Sequence, residues 1–210
     1  MAQRNRARNA GVVDAGIAES VPYPVVPAWV SGRFYSGCIH AGALGTVSPS
    51  TNTYVVPIVV PNQVIVTSIG VEVSSAGGAG SLFRLAIYTD KNGRPDELVI
   101  DAGTVVADAT GYQSAVISQV LKAGPYWLAL ANKTVTSAAA VRALPSTVSH
   151  SITAATAMSP SSTSNAYLLI QNNPAAGGIV DTGWMTKIVF GDSNAIMSGA
   201  AVSPRIMLGV

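Results

Sequence analysis

Charged side chains are scarce in this sequence. Only 10% of its 210 residues are Asp, Glu, Lys or Arg, whereas a typical soluble protein has about 25%. Helices usually cover their exposed faces with Glu, Lys and Arg, so this scarcity disfavours a helical protein. A surface with so little charge also favours association. We therefore expect a β-rich chain that buries much of its surface against other subunits, most simply as a homo-oligomer.

Cysteine and long apolar runs are also rare. Cys38 is the one cysteine, so no intrachain disulfide can form and a disulfide-forming secretory route gains no support. No apolar run approaches the roughly 20 residues that a membrane-spanning helix needs. The N-terminus lacks the apolar core of a signal peptide. We predict a protein made soluble in a cytoplasm, without membrane insertion.

Side chains that bind metals or act as nucleophiles are few. His40 and His150 are the only histidines, and neither lies in a cluster with metal-ligand spacing. Cys38 and His40 are two residues apart with no third group to orient them, which disfavours a nucleophilic pair. We predict no catalytic residue, no metal site and no cofactor, and hence no enzymatic activity.

The clearest structural signal is a β-hairpin between Ser81 and Asp101, SLFRLAIYTDKNGRPDELVID. Phe83, Leu85 and Ile87 have the same parity, so a strand directs all three to one face, which we assign to the core. The DKNG segment at 90–93 supplies turn chemistry, because Asn and Gly tolerate positive φ.

The same turn resembles an oxygen-rich calcium loop, because Asp90 and Asn92 are followed by Asp96 and Glu97. The full spacing of an EF-hand loop is missing, and no flanking helices are predicted. Turn chemistry explains these residues without a metal, so we predict a turn. Pro95 is expected to interrupt the strand pairing that follows it.

Apolar segments separated by Gly, Pro and Ser recur along the chain. Strands are predicted at 54–60 and 64–73, and a change of apolar parity at Thr67 and Ser68 predicts a bulge. The segment 126–131 (YWLALA) is apolar on both faces, as expected for a central strand. The pattern predicts an all-β fold, an antiparallel β-sandwich of jelly-roll type with an extended N-terminal arm.

Two later segments carry weaker signals. Residues 112–121 alternate like a strand with one solvent-facing side. From 134 to 165 Ser, Thr and Ala dominate, and the sequence leaves open whether this region forms loops, an insertion or edge strands. Strand character returns at 166–171, 186–190 and 205–208, so we expect the C-terminal strand to complete the sandwich.

Residues 1–30 are predicted to form the arm, and residues 31–210 the β-sandwich domain. Prolines between residues 22 and 27 exclude a helix there, and the first eight residues carry three arginines and no acid. Three arginines are too few to predict nucleic-acid binding. Whether the Pro-rich part lies along its own domain or docks onto another subunit stays open. The residues that we expect to anchor the arm are Arg4, Arg6, Arg8, Tyr23 and Trp29.

Aromatic residues make up only 6% of the chain. Trp127 lies inside an apolar strand and is expected in the core. Tyr88, Tyr112 and Trp184 have small or polar neighbours, and they are candidates for a shallow platform on which sugar rings stack. Burial in the core is the favoured interpretation for each of them, and the platform is the alternative.

The segment from about 54 to 131 resembles β-sandwich modules of bacteriophage virion proteins, notably tail-fibre and other tail-associated host-attachment proteins. The motifs that carry the resemblance are IGV at 69–71, RLAIYTD at 84–90, NGRP at 92–95, DAGT at 101–104 and GPYWLA at 124–129. These motifs are turns and core strands. The family shares no catalytic residues that could be transferred to this chain.

The resemblance implies a non-enzymatic structural protein of the phage tail or tail fibre. Such a protein is made in the bacterial cytoplasm and resides in the virion, as a homotrimer attached through its arm to other virion proteins and contacting host surface glycans. Two alternatives stay open: a capsid decoration (cement) protein, and a carbohydrate-binding module or carbohydrate-active enzyme.

Overall fold

A computed structural model describes residues 27–37, 44–49, 53–134, 138–144, 166–170, 196–200 and 203–210. These residues contain thirteen strands and no helix, which confirms the predicted all-β fold. In chain order the strands are β1 (Phe34–Ser36), β2 (Gly45–Val47), β3 (Thr53–Val60), β4 (Val64–Ser75), β5 (Leu82–Asp90), β6 (Pro95–Val106), β7 (Gly111–Leu121), β8 (Gly124–Thr134), β9 (Ala140–Leu144), β10 (Ala166–Ile170), β11 (Ile196–Ala200), β12 (Ser203–Pro204) and β13 (Ile206–Gly209).

The strands form two antiparallel sheets. One sheet has seven strands in the order β1-β13-β4-β9-β12, with β7 also paired to β4 and β2 to β9; we call it the β4 sheet. The other has six strands in the order β11-β10-β3-β8-β5-β6, and we call it the β8 sheet. The long strands β4 and β8 are therefore the central elements around which each sheet is built.

The core lies between the two sheets. Phe83, Leu85 and Ile87 on β5 are fully buried, as predicted from their shared parity. They belong to one apolar cluster with Val66 and Ile69, which lie on β4 in the opposite sheet. Because the inner faces of both sheets contribute to a single core, the molecule is an antiparallel β-sandwich.

Strand β8 is buried on both of its faces. Leu128 and Leu130 contribute to the core between the sheets. Trp127 and Ala129, which alternate with them, are also fully buried. The prediction of a central strand from the sequence YWLALA is confirmed.

Two local features of the strands bear on the sequence predictions. The pairing of β4 with β7 changes register between Val66 and Ser68, which confirms the predicted bulge. Pro95 is the first residue of β6 and lies opposite Asp90, and the register of the β5–β6 pairing shifts between this pair and the next one, Tyr88 with Leu98. The ladder is therefore irregular directly after the proline, as predicted, although Pro95 itself belongs to the edge strand, where its missing N–H is tolerated.

The predicted turn joins β5 to β6. Asn92 and Gly93 have φ values of 55° and 74°, the left-handed conformations that a two-residue hairpin loop requires. Lys91 N–H donates to the Arg94 carbonyl at 2.8 Å, and Arg94 N–H donates to the Lys91 carbonyl at 3.2 Å. The local sequence therefore determines this hairpin.

The two ends of the described chain meet in the β4 sheet. Strand β13 lies between β1 and β4, and the Val210 N–H donates to the Arg33 carbonyl at 3.0 Å. The Ser/Thr/Ala-rich region contributes β9, which pairs with β4. The strand predicted at 186–190 lies outside the described residues.

Candidate functional site

Trp29, predicted to anchor the arm, is instead part of the sandwich. Its side chain is 6% exposed, and its ring stacks on Tyr35 with the centroids 4.4 Å apart. The Trp29 N–H donates to the Asn62 side-chain oxygen at 2.7 Å, and the Asn62 amide donates back to the Trp29 carbonyl. This part of the prediction is corrected, because a side chain held in this way is not available to another protein. A domain boundary after residue 30 cuts through the packed segment.

The other predicted anchoring residues, Arg4, Arg6, Arg8 and Tyr23, lie outside the described residues. Their role as an anchor stays a prediction.

The three aromatic residues that are candidates for glycan contact differ in where they lie in the structure. Tyr88 is 1% exposed, so it cannot offer a ring face to a sugar, and its assignment is corrected. Burial raises the pKa of its hydroxyl well above the usual value, and the negative charge of Asp101 adds to the effect. Trp184 lies outside the described residues. Tyr112 is 39% exposed and remains available.

The Asp90 carboxylate, part of the possible calcium loop, has protein partners. One oxygen accepts the Trp127 indole N–H at 2.8 Å, and the other accepts the Gly93 N–H at 3.2 Å. The first of these hydrogen bonds joins the turn to strand β8, and the second closes the turn itself. In the part of the chain that the structure describes, no three Asp, Glu, His or Cys side chains are grouped to hold a metal ion.

An ion pair lies across β5 and β6. The Arg84 guanidinium donates to both oxygens of the Asp101 carboxylate, and the Gly103 N–H donates to the same carboxylate at 2.9 Å. Burial by itself raises the pKa of Asp101, but the bonds from Arg84 and Gly103 and the positive charge outweigh it and hold the pKa below its usual value. This pair therefore favours the ionised carboxylate in the folded chain.

We expect Asp101→Asn to lower the free energy of unfolding by about 1 kcal/mol at pH 7, a value reduced for partial exposure. Because the folded-state pKa is depressed, the wild type loses this contribution as the pH falls below about 4, near the unfolded value. The difference between variant and wild type should shrink there. Urea unfolding of the variant and the wild type from pH 7 to pH 2.5 measures this difference. A constant difference across this range would contradict the expectation.

The outer side of the β4 sheet carries an exposed apolar face. We define this face by its large apolar side chains, which lie on strands β1, β4 and β7: Phe34, Ile65, Tyr112, Val116 and Val120. Val116 is 89% exposed and Phe34 60% exposed. Single apolar residues on a surface are common, but several on one sheet face indicate a contact surface.

The aromatic pair in this face lies directly over glycines, whose lack of a side chain leaves room for the two rings. A Cβ built on Gly70 would lie 2.6 Å from the Tyr112 hydroxyl oxygen, so the Tyr112 ring lies directly over the bare backbone. Phe34 meets Tyr112 edge to face, with centroids 5.5 Å apart. Burial raises the pKa of Tyr112, and side-chain hydrogen bonds with Ser68 and Ser114 oppose the rise.

Glu72 and Arg142 mark the polar border of the face. Their side chains form an ion pair at 3.3 Å, and both are more than a third exposed. Such a pair contributes little to stability. Chemically, the face combines a ring that can stack, hydroxyls that can donate or accept hydrogen bonds, and aliphatic side chains that can be buried by a partner.

The sequence reasoning missed four residues of this face, Phe34, Ile65, Val116 and Val120. A partial signal was present in β7, where Val116 and Val120 have the same parity as Tyr112, but the sequence analysis did not assign either parity to the solvent-facing side. The contribution of Phe34 had no such signal, because it reaches the face only through the pairing of β1 with β13.

No protein-family model matches the sequence, and no curated protein matches it significantly. None of the described residues forms a helix that could cross a membrane.

Proposed function

We propose that this chain is a non-enzymatic structural protein of a bacteriophage virion, located in the tail or a tail fibre. The observation that carries the proposal is the exposed apolar face, which a sandwich with only 10% charged residues would present to neighbouring subunits. The resemblance of the segment from 54 to 131 to virion modules supports the same class.

Two interactions belong to this proposal. The chain self-associates, as a homotrimer by analogy with tail appendages, and it attaches to other virion proteins through the residues that precede the sandwich. Because Trp29 is packed in the domain, the attachment is assigned to the part of residues 1–30 that precedes Trp29, with Arg4, Arg6, Arg8 and Tyr23. Tyr112, which is 39% exposed, and Trp184 are the residues that we propose to contact a host glycan.

The location of the chain in purified particles tests the proposal. Mass spectrometry of intact phage should detect the chain as a stoichiometric component, and antibody labelling in electron micrographs should place it on the tail. Label over the shell would favour the capsid decoration protein instead. A chain absent from particles but abundant in infected cells would refute a virion role. Deletion of residues 1–26 should abolish incorporation while the sandwich still folds.

A further inference from the structure

Strand β7 forms an edge of the β4 sheet. It is 11 residues long, and among the described strands it pairs only with β4. An edge strand presents backbone N–H and C=O groups on its outer side that can pair with another strand. Natural proteins therefore usually block their long edges.

The corresponding edge of the β8 sheet is blocked. Strand β6 pairs only with β5 among the described strands, and it carries Pro95 together with Asp96, Glu97 and Asp101. Its pairing with β5 also changes register three times. Proline, charge and irregular pairing are the devices that prevent edge-to-edge association.

Strand β7 carries neither proline nor charge. Its sequence is GYQSAVISQVL. Exposure alternates without a break from Tyr112 to Leu121, so the strand keeps one regular face even though its pairing with β4 shifts register once. The outward positions include Val116 and Val120, two of the residues of the exposed apolar face.

The side chains of β7 are chemically symmetric about Val116. Reading outwards from Val116, alanine is matched by isoleucine, serine by serine, glutamine by glutamine, and tyrosine by valine. The matched positions are 115 and 117, 114 and 118, 113 and 119, and 112 and 120. In an antiparallel pair of identical strands centred on Val116, these residues lie directly opposite one another.

We propose that β7 pairs antiparallel with β7 of a second copy of this chain, about a two-fold axis that passes through Val116. Apolar residues then face apolar residues and polar residues face polar ones, the cross-strand pairs that stabilise sheets. Moving the axis to Ser118 would place Ile117 opposite Gln119, and moving it to Ser114 would place Gln113 opposite Ala115. The symmetric sequence therefore selects one register and favours a second copy over an unrelated strand.

The two-fold contact does not depend on the virion role and differs from the trimer contact proposed above. An isologous contact joins copies in pairs, so a chain that is otherwise monomeric forms a dimer, and a closed trimer forms a hexamer. The contact extends the β4 sheet sideways, which leaves the ring of Tyr112 exposed on the sheet face. The mass of the purified protein should correspond to an even number of chains.

Val116→Lys tests the contact, because it places two like charges directly opposite each other at the axis. Since Val116 is 89% exposed, the substitution should leave the fold intact, which circular dichroism and thermal unfolding check. Multi-angle light scattering should give Val116→Lys half the molar mass of the wild-type protein. Val30→Lys is the control, because Val30 is an exposed apolar residue outside β7. An unchanged mass of Val116→Lys would overturn the proposal.

Cysteine cross-linking tests the register. In a Cys38→Ser background, Val116→Cys places two thiols opposite each other at the roughly 4.5–5.5 Å Cα separation of antiparallel pairs, within the range for a disulfide. Oxidation should yield covalent dimers. Ser118→Cys alone should not cross-link, but mixing it with Ser114→Cys should. Equal cross-linking of Ser118→Cys alone, or none at Val116→Cys, would contradict the proposed pairing.

Discussion

Replacing Trp127 by alanine is expected to lower the free energy of unfolding by about 3–5 kcal/mol. Trp127 is among the largest side chains that are fully buried, and it lies in the central strand of the β8 sheet, opposite Tyr88 on β5 and Pro57 on β3. Truncation would remove its packing from both neighbours. It would also take away the indole N–H that the Asp90 carboxylate accepts.

Urea unfolding of three variants separates these contributions. Trp127→Phe keeps most of the ring volume but loses the hydrogen bond, so it should cost less than Trp127→Ala. Phe34→Ala is the control for truncation of an exposed aromatic residue, since Phe34 is 60% exposed, and it should cost less than about 1 kcal/mol. If Trp127→Ala were no more destabilising than Phe34→Ala, the burial of Trp127 would be refuted.

Gly70→Ala is expected to destabilise the sandwich by about 1–3 kcal/mol, the usual cost of overpacking. An added Cβ would lie 2.6 Å from the Gln113 carbonyl oxygen and 2.6 Å from the Tyr112 hydroxyl oxygen. The carbonyl belongs to the paired strand β7 and cannot move without disturbing the ladder. The position of the Tyr112 ring in the exposed apolar face therefore depends on glycine at this site.

Gly45→Ala is the matched control for this prediction. Gly45 also lies in a strand, but its added Cβ would meet only the Ala143 carbonyl oxygen, at 3.8 Å, an ordinary contact. Alanine there should be neutral or slightly stabilising, because glycine in a strand has an entropic cost. In the background of Tyr112→Ala, the cost of Gly70→Ala should fall but not disappear, since the Gln113 carbonyl remains. Equal effects of the two glycine substitutions would contradict the close approach of the ring.

The hairpin and the core of the β8 sheet could be predicted because their signals are local. Phe83, Leu85 and Ile87 alternate with period two, and the Asn-Gly pair at 92–93 has the conformational freedom that the turn uses. In β8, apolar residues at every position from 126 to 131 predicted burial of both faces.

Other features depend on partners that are distant in the sequence. Trp29 lies in a Pro-rich segment without periodicity, and it is held by Asn62, 33 residues away. Tyr88 is followed by the polar residues Thr89 and Asp90, which made it a candidate for sugar contact, but its position beside Trp127 in the β8 sheet depends on strand pairing. No local pattern determines which strand lies beside which.

The exposed apolar face shows another reason why part of the structure could not be predicted from the sequence. The alternation in β7 was predicted, but alternation alone does not say which parity faces solvent when both contain apolar residues. Val116 and Ile117 are equally apolar, yet only Val116 points outwards. The side chains of β7 that face inwards are determined by its pairing with β4, whose buried Val66 and Ile69 define the inner side of the sheet.

The position of β13 between β1 and β4 has a consequence for the order of folding on the ribosome. Strand β1 has its ladder partner at the far end of the chain, since Phe34 lies opposite Gly209. At a synthesis rate of roughly 5–20 residues per second, β1 waits on the order of ten seconds or longer for β13. The β5–β6 hairpin and its pairing with β8 can form in that interval, but the β4 sheet cannot be completed. Closure of the sandwich is therefore a late step with high contact order.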